Sequence, residues 1–304
     1  MLPFVYRMLA QSLVTVFAVS LIVFIFMNLA GDPAILLLPP EAKPADVQNL
    51  RESLGLNRPA YVRYFSFMTQ FWYSDQVKSF KYNDRLLPLI LGHLQWTLVL
   101  AVSALVLSLV IGIPLGTLAA RRHTRAIDVA VRILAVLGES VPAFVTAILF
   151  MFLFAVKYRV LPVAGLGLRN AVLPVATLVC LQMAILMRLF RSELLEVFSQ
   201  DYIRTARSKG LRERAVLTQH AFRNAAIPVL TMAGLLLNYL VLGAVVVEPI
   251  FAWPGLGWLM VQSVSARDYP VVVGAATIAA VLVAVINLAV DVLQVWIDPR
   301  VRVA

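Results

Sequence analysis

The chain has 304 residues, of which 61% are hydrophobic and 14% are charged, whereas an average soluble domain has about 45–50% and about 25%. A soluble fold of this length cannot hide so much apolar surface, which argues against a cytosolic enzyme. The net charge of +10 does not indicate a nucleic-acid-binding protein, because the basic residues lie between long apolar runs. Composition and charge together predict an all-α integral membrane protein that crosses the bilayer several times.

Six apolar segments are long enough to cross a bilayer as helices, which takes about 20 residues each. They cover residues 8–30, 96–120, 128–156, 171–190, 227–247 and 270–296. The first segment also resembles a signal peptide, with a small-residue cleavage site at Leu29-Ala30-Gly31. Its apolar run exceeds the about 7–15 residues typical of such a peptide, so we expect it to remain as a span.

The distribution of basic residues predicts the orientation of the chain. Three arginines lie within 121–125, between the second and third spans, and two follow the last span. Three basic residues within 157–169, between the third and fourth spans, lie on the opposite side of the membrane and favour the reverse orientation. The connection between the fourth and fifth spans has eight: Arg188, Arg191, Arg204, Arg207, Lys209, Arg212, Arg214 and Arg223. Because short cytoplasmic loops are rich in Lys and Arg, we predict that both termini are cytoplasmic.

Residues 31–95 form a long segment on the predicted outer side that contains no span. Apolar residues at helical spacing predict short helices at 44–54 and 59–72, and the stretch 73–85 is polar and turn-like. The second short helix places four side chains on one face: Tyr61, Phe65, Met68 and Trp72. Such a face suits a helix at the depth of the lipid headgroups, and packing as a lid over the mouths of the spans is an equal alternative. The predicted divisions of the chain are therefore 1–30, 31–95 and 96–304.

The sequence contains no constellation that would carry catalysis. None of its five lysines lies in a Gly-x4-Gly-Lys-[Ser/Thr] loop, so no nucleotide-binding loop is predicted. The histidines His93, His123 and His220 have no metal-ligand spacing, and the single cysteine, Cys180, can neither complete a metal site nor form an intrachain disulfide. We therefore expect no catalytic residue, metal or cofactor in this chain.

The most informative segment is the basic connection at 201–228. It predicts a helix that breaks at Gly210 and a second helix with apolar residues between Leu211 and Ala221, after which Pro228 opens the fifth span. A structured connection of about 30 residues is unusually long between helices, so it predicts a surface for a partner protein. A basic helix that lies on anionic lipid is the alternative.

Several further motifs occur in order along the chain. They are Gly31-Asp32-Pro33, Leu54-Gly55-Leu56-Asn57-Arg58-Pro59, Ser140-Val141-Pro142-Ala143-Phe144, Arg204-Thr205-Ala206-Arg207-Ser208-Lys209-Gly210, His220-Ala221-Phe222-Arg223-Asn224-Ala225, Val247-Glu248-Pro249-Ile250-Phe251-Ala252-Trp253-Pro254-Gly255-Leu256-Gly257, Ala266-Arg267-Asp268-Tyr269-Pro270-Val271 and Asp298-Pro299-Arg300. Spread between six spans, this pattern resembles the permeases of bacterial ABC importers, and more narrowly the family for dipeptides, oligopeptides, glutathione and nickel. The chain departs from the general importer loop in having Arg204-Thr205-Ala206 in place of Glu-Ala-Ala, which matches the peptide subfamily. It also lacks, around 73–85, a Gly-rich segment that the family often has.

The resemblance implies a type I importer permease fold with six transmembrane helices in a bacterial inner membrane. It implies that the loop at about 199–226 docks into a groove of a separate ATPase subunit and acts as a lever. The residues assigned to this role are Thr205, Ala206, Arg207, Lys209, Gly210, Leu211 and Arg212. Gly210 would permit a sharp turn, Ala206 a close helix contact, and the three basic side chains ion pairs with carboxylates of the partner.

The resemblance also implies the partners and the cargo. The expected partners are a second, homologous permease, two ATPase subunits that bind ATP and Mg, and an extracytoplasmic solute-binding protein. The expected cargo is a di- or oligopeptide, with nickel, a nickel chelate or glutathione as alternatives. A proton-coupled secondary carrier is the alternative of a different class, and it would require a functional intramembrane acid such as Asp291.

Polar residues within and next to the spans are candidates for two further roles. Gln182, Asn238 and Asn287 lie at membrane depth and are candidates for the translocation pathway, Asn238 first. A hydrogen bond between helices is the alternative role for Asn238. Three residues beyond the fifth span are candidates for contact with a binding protein, and structural packing is equally plausible for them: Glu248, Trp253 and Asp268.

Overall fold

The computed structural model describes residues 2–29, 31–32, 34–35, 38, 42–53, 55–73, 77–123 and 125–297, the side chains of 1–5, 7 and 294–297 excepted. These residues form an all-α fold: α1 (Leu2–Leu29), α2 (Pro44–Ser53), α3 (Ala60–Tyr73), α4 (Leu86–Arg121), α5 (Ala126–Ser140), α6 (Ala143–Phe150), α7 (Leu168–Ser199), α8 (Asp201–Ser208), α9 (Glu213–Ala215), α10 (Phe222–Ile250), α11 (Leu256–Ser265) and α12 (Tyr269–Ile297). Two π-helical stretches, Met151–Lys157 and Val216–Ala221, follow α6 and precede α10. Outside the described residues lie Ala30 of the cleavage site and the motif residues Pro33, Leu54 and 298–300.

Within the described residues, five helical stretches are long and apolar enough to cross a membrane. They are Met8–Leu29, Leu86–Arg121, Leu168–Ser199, Glu213–Ile250 and Tyr269–Leu293. A sixth element passes the same test only as a pair, Ala126–Ser140 with Ala143–Lys157, whose axes are bent by 100°. The predicted third span at 128–156 is therefore not a straight helix.

The bend of the third element lies at Val141 and Pro142. Val141 has extended backbone angles (φ −96°, ψ 119°), and α6 begins directly after Pro142. The proline ring disfavours helical angles at the residue before it and removes one backbone donor, so a helix ends there and a new one begins. Hydropathy alone did not predict this break because both halves are apolar.

The second span begins ten residues earlier than predicted, at Leu86 instead of residue 96. The polar residue His93 made this stretch look like part of the outer segment. In the structure the Nδ1 atom of His93 lies 2.7 Å from the carbonyl oxygen of Pro254, and its ring stacks on Trp258 with centroids 5.8 Å apart. A satisfied imidazole is compatible with a continuous helix.

The fourth and fifth spans also extend beyond their predicted ends. Because α7 runs to Ser199, Arg188 and Arg191 lie on a helix and not in a cytoplasmic loop. The fifth span does not open at Pro228, since α10 already begins at Phe222 and includes this proline. The π-helical stretch Val216–Ala221 directly precedes α10 and replaces the regular helical hydrogen bonds there. Helices commonly adjust in this way close to a proline that strains them.

The described contacts divide the chain into two compact units, each built from two stretches. The first unit comprises Met1–Trp96 and Pro254–Leu288, and the second comprises Thr97–Trp253 and Ala289–Ala304. In the first unit the helices predicted at 44–54 and 59–72 are confirmed as α2 and α3. The core of this unit joins α3, α4, α11 and α12 through Phe71, Leu86, Ile90, Leu256, Leu259, Val271, Ala275 and Ile278.

The second unit is organised around α7, which packs against α5, α6 and α10. A core cluster of this unit continues from this helix into the connection that follows it: Ala120, Leu186, Phe190, Leu194, Val197, Ile203, Ala206, Val216, Ala221, Ala225, Val229 and Leu236. One apolar core thus holds the spans and the connection between the fourth and fifth spans together. The packing of this core therefore determines which side chains of the connection are buried and which are exposed.

Candidate functional site

The connection between the fourth and fifth spans contains a short helix that is anchored by one face. In α8, Ile203 and Ala206 are buried among side chains of α7, α10 and the π-helical turn. They lie three residues apart, on the same side of a helix. The residues between and after them are exposed. The hydrophobic contacts of this one face therefore fix the position of α8, while its other face is open to a partner.

Gly210 ends this helix in a left-handed conformation, with φ +78°. Its N–H donates to the carbonyl of Arg207 at 2.9 Å, and the N–H of Leu211 donates to the carbonyl of Ala206 at 3.4 Å. These two bonds are those of a Schellman motif, in which glycine satisfies the terminal carbonyls of the helix. The predicted break at Gly210 is confirmed. We name residues 205–212 the α8 turn.

The two sides of the α8 turn are joined by an ion pair. Arg207 Nε donates to Glu213 Oε1 at 2.8 Å and Nη2 donates to Oε2 at 3.4 Å. The same guanidinium lies 5.6 Å from the centre of the Phe198 ring. Both partners are exposed, so this pair contributes at most about 1 kcal/mol to stability. Its effect is to hold the turn in one shape.

The α8 turn presents a basic surface with one apolar side chain. Thr205, Arg207, Lys209 and Arg212 are exposed, and Leu211 keeps 39% of its surface accessible. Within the described part of the chain, Lys209 and Arg212 form no ion pair. The expectation for Ala206 needs correction, because its methyl group is 5% exposed and packs inside this chain. Ala206 permits α8 to lie close to its own bundle and not to a partner helix.

A shielded ion pair lies on α7 shortly before α8, and the sequence did not predict it. Arg191 of α7 donates from Nε to Asp128 Oδ1 at 2.6 Å and from Nη2 to Oδ2 at 2.9 Å. The side chain of Asp128 is 1% exposed and that of Arg191 15%. A bidentate, shielded pair of this kind defines the geometry of two elements. It joins the start of α5 to the last part of α7, which leads directly into α8.

A second contact joins α8 to the start of α10. The Nδ2 atom of Asn224 donates to the hydroxyl oxygen of Tyr202 at 2.9 Å. At the first residue of α10, the ring of Phe222 meets that of Phe190 on α7 edge to face, with centroids 5.4 Å apart. The helix that carries the turn is therefore held on both sides by the spans.

The three candidate pathway residues differ in their environments. Gln182 on α7 is 3% exposed, and within the described residues its Oε1 atom accepts no hydrogen bond. Asn238 on α10 is half-buried, whereas Asn287 on α12 is exposed. Gln182 and Asn238 belong to the second unit and Asn287 to the first. Their role in the pathway remains a prediction.

The expectation that Glu248 and Trp253 contact a binding protein is wrong, because both are buried in this chain. Glu248 is 0% and Trp253 2% exposed. Glu248 Oε1 accepts a hydrogen bond of 2.6 Å from the hydroxyl of Thr97, and its carbonyl accepts one of 2.9 Å from the N–H of Trp253. A buried carboxylate with such partners shapes the turn that follows α10.

Asp268 is likewise fully buried and cannot form part of a docking surface. Its Oδ2 atom accepts hydrogen bonds from the hydroxyl of Ser79 and, at 3.0 Å, from the N–H of Lys81. It thereby holds the polar stretch before α4, where Lys78 and Arg85 form an isolated antiparallel bridge. Glu248, Trp253 and Asp268 organise loops from within, which is the packing role that the sequence left open.

Among the described residues, no group of three or more His, Cys, Asp or Glu side chains could hold a metal ion. The exposed basic side chains of the α8 turn offer a surface for a protein contact. A basic surface of fixed shape, with an apolar side chain beside it, favours an acidic partner and determines its orientation.

The sequence matches two family models that together cover nearly the whole chain. Residues 112–303 match the binding-protein-dependent transport system inner membrane component. Residues 1–101 match the N-terminal part of the binding-protein-dependent transport system membrane component.

Relatives that align over nearly the whole chain support these matches. A Brucella abortus (strain 2308) protein, named as a peptide transport system permease protein, is 41% identical over 99% of both chains. The oligopeptide transport system permease protein AppB of Bacillus subtilis (strain 168) is 36% identical over 99% of this chain and 100% of its own. A protein of Escherichia coli (strain K12), named DdpB for D,D-dipeptide transport, is 37% identical over 93% of this chain and 92% of its own.

Two solved structures share the fold. A chain of the inward-facing MetNI methionine ABC transporter aligns with a TM-score of 0.57 and 19% identity, over 69% of this chain and 96% of that chain. A chain of an amino acid ABC transporter with histidines aligns with a TM-score of 0.56 and 17% identity, over 68% and 93%. At these identities the likeness concerns the fold alone, and it confirms the predicted fold class.

Proposed function

Since the chain belongs to the family of binding-protein-dependent transport system inner membrane components, we propose that it forms half of the pathway through which an ATP-driven importer moves di- or oligopeptides. As a member of this family it is a non-catalytic, multi-pass permease of the inner membrane, and it works with a binding protein and with ATPase subunits.

The observation that carries the proposal is the α8 turn. It is basic, exposed and held in one shape by the Schellman motif at Gly210 and by the pair of Arg207 with Glu213. A lever must be rigid in itself and rigidly joined to what it moves. The buried face of α8, formed by Ile203 and Ala206, supplies this junction with the spans.

The proposed assembly contains two permeases and two ATPases. This chain would pair with a second, homologous permease, and ATP and Mg would be bound only on the ATPase subunits. In this arrangement both termini and the α8 turn are cytoplasmic, as the distribution of Lys and Arg predicts. Lys209 and Arg212 then face carboxylates of the ATPase, which increases the association rate and determines the register.

A peptide is the proposed cargo because the names of relatives that match nearly the whole chain refer to peptides, oligopeptides and dipeptides. A nickel chelate and glutathione are the alternatives within the same machinery. The buried positions of Glu248, Trp253 and Asp268 leave recognition of the binding protein to other residues.

Mild-detergent purification of the tagged chain tests the assembly. We expect two P-loop ATPases and a second permease to co-purify, and mass spectrometry identifies them. The double variant Lys209→Glu/Arg212→Glu should lose most of the ATPase, whereas Arg122→Glu, an exposed arginine in another connection, should retain it. A chain that purifies alone would contradict the proposal, and Asp291→Asn would then test a secondary carrier.

Uptake into proteoliposomes tests the cargo. The reconstituted importer with its binding protein should accumulate labelled di- and tripeptides when ATP is enclosed on the side of the ATPases. Accumulation of nickel chelate or glutathione instead of peptide would overturn the peptide assignment and leave the coupling proposal intact.

A further inference from the structure

The first unit contains a cavity of about 450 Å³. It is formed where the last turns of α1, the loop after α2, the middle of α3 and the first turn of α12 meet. Its volume is within the range of about 300–1,000 Å³ typical of small-molecule sites. Phe24, Met27 and Phe67 contribute apolar walls, and Asn28 and Ser66 contribute polar groups.

Most of the charged side chains that line the cavity are cations. Arg58, Arg63 and Lys78 line it, against one acid, Glu52. Within the described residues none of the three cations has a carboxylate within ion-pair distance. Glu52 accepts a hydrogen bond of 2.9 Å from Gln48. The cavity therefore carries an excess of positive charge.

Arg63 is the most shielded of these cations. Its Nε atom is buried and has no hydrogen-bond acceptor in the described chain, and its guanidinium lies 6.0 Å from the centre of the Phe24 ring. The neighbouring acid, Asp32, is paired with Arg51 instead. A buried arginine donor without an acceptor costs free energy unless a ligand supplies one.

The position of the cavity indicates its depth in the membrane. The C-terminal end of α1 and the N-terminal end of α12, both ends of predicted spans, contribute its walls. On α3, Tyr61, Phe65 and Trp72 are 68%, 56% and 43% exposed, whereas Tyr64 and Phe71 are buried. Aromatic side chains of this kind concentrate at the level of the lipid headgroups.

We propose that this cavity binds the headgroup of an anionic phospholipid. The phosphate would accept hydrogen bonds from the arginines and from Lys78, while Phe24, Met27 and Phe67 contact the glycerol backbone and the upper acyl carbons. Arginine suits this role because its planar guanidinium matches the phosphate oxygens. The exposed face of α1, whose apolar window is only 6% buried, leaves the acyl chains room to continue into the bilayer.

Lipid retention tests the proposal on the full chain together with whatever subunits co-purify. The protein is reconstituted into nanodiscs with phosphatidylglycerol and phosphatidylcholine in equal amounts, extracted, washed, and analysed by native mass spectrometry for bound lipid. Phosphatidylglycerol should be retained in preference. Each cation removed should weaken its binding about fivefold, so that Arg58→Gln/Arg63→Gln/Lys78→Gln weakens it about 100-fold.

Two further comparisons make the result unambiguous. Arg169→Gln, which removes an exposed arginine from the first turn of α7, should retain phosphatidylglycerol as the unchanged chain does. If Arg63→Gln fails to fold, the pair Arg58→Gln/Lys78→Gln, at two exposed positions, should still weaken binding about 25-fold. Equal retention of phosphatidylcholine, or unchanged retention in the triple variant, would refute the proposal. Displacement of the lipid by an equal concentration of glycerol phosphate would assign the cavity to a soluble phosphate.

Discussion

Gly210 offers the sharpest test of how the α8 turn works. Its φ of +78° is a conformation that costs other L-residues about 1–2 kcal/mol, and asparagine tolerates it better than alanine or valine. A Cβ atom added at this position would meet nothing within 4 Å. The cost of a substitution is therefore conformational and not steric, and it should follow backbone preference instead of side-chain size.

The substitutions Gly210→Asn, Gly210→Ala, Gly210→Val and Gly210→Pro should be increasingly harmful in this order. For alanine, a cost of about 1–2 kcal/mol increases the opening of the turn about 5- to 30-fold. Proline is worst because its φ is locked near about −65° and it removes the N–H that bonds to Arg207. We expect a cost of about 3 kcal/mol or more for it.

Hydrogen–deuterium exchange of residues 201–221 measures the opening, and the ratio of peptide transported to ATP hydrolysed measures the coupling. Both should change in the predicted order while the spans stay inserted. An order that follows side-chain volume, with asparagine as harmful as valine, would refute the argument from φ. Normal transport by Gly210→Pro would refute the role of the α8 turn in coupling.

Three other predictions follow from contacts within the units. Asp128→Asn should lower the free energy of unfolding by about 3–5 kcal/mol, because the guanidinium of Arg191 then stays shielded without its carboxylate partner. The double variant Asp128→Leu/Arg191→Met, which removes both charges, should recover most of this stability in a denaturation assay. Burial raises the pKa of Asp32, but hydrogen bonds from its arginine partner and a backbone N–H, together with nearby positive charge, bring it below 3.8. The ionised Asp32 carboxylate therefore stabilises the folded state above pH 3.8, and this stabilisation is lost as the pH falls through the lower pKa of the folded state. Thermal melting of Asp32→Asn should lack this acid-dependent loss of stability. Identical pH profiles of melting temperature for the variant and the unchanged chain would contradict the assignment. Gly116→Ala would place a Cβ atom 2.6 Å from a backbone carbonyl oxygen of α7, so it should lower stability by about 1–3 kcal/mol. Gly92→Ala, whose Cβ atom would meet nothing within 4 Å, should be neutral or stabilising. Equal melting temperatures for the two variants would contradict the close approach of α4 to α7.

Local sequence patterns were sufficient to locate the apolar segments, though not their ends, and to predict α2, α3 and the break at Gly210. These features depend on apolar periodicity and on backbone preference, which neighbouring residues already express. The break at Pro142 was also encoded locally, but the apolar residues on both sides concealed it. Family resemblance supplied the function, because permease motifs recur in a fixed order along the chain.

Only the tertiary structure decided which polar residues are available to a partner. Glu248 bonds to Thr97 across 151 residues of sequence, and Asp268 bonds to Ser79 across 189. A carboxylate in a loop looks the same in sequence whether it is buried by a distant hydroxyl or exposed.

The same reason applies to charges and to small residues. Arg191 was counted as a loop cation until its pairing with Asp128, 63 residues away, placed it inside the bundle. Ala206 faces its own core because Ile203, one turn before it, is held there too. Sequence by itself determined that this chain is a helical membrane permease with a basic connection between its fourth and fifth spans. Three-dimensional packing decided which side chains that segment exposes, because burial and pairing depend on residues that only the fold brings together.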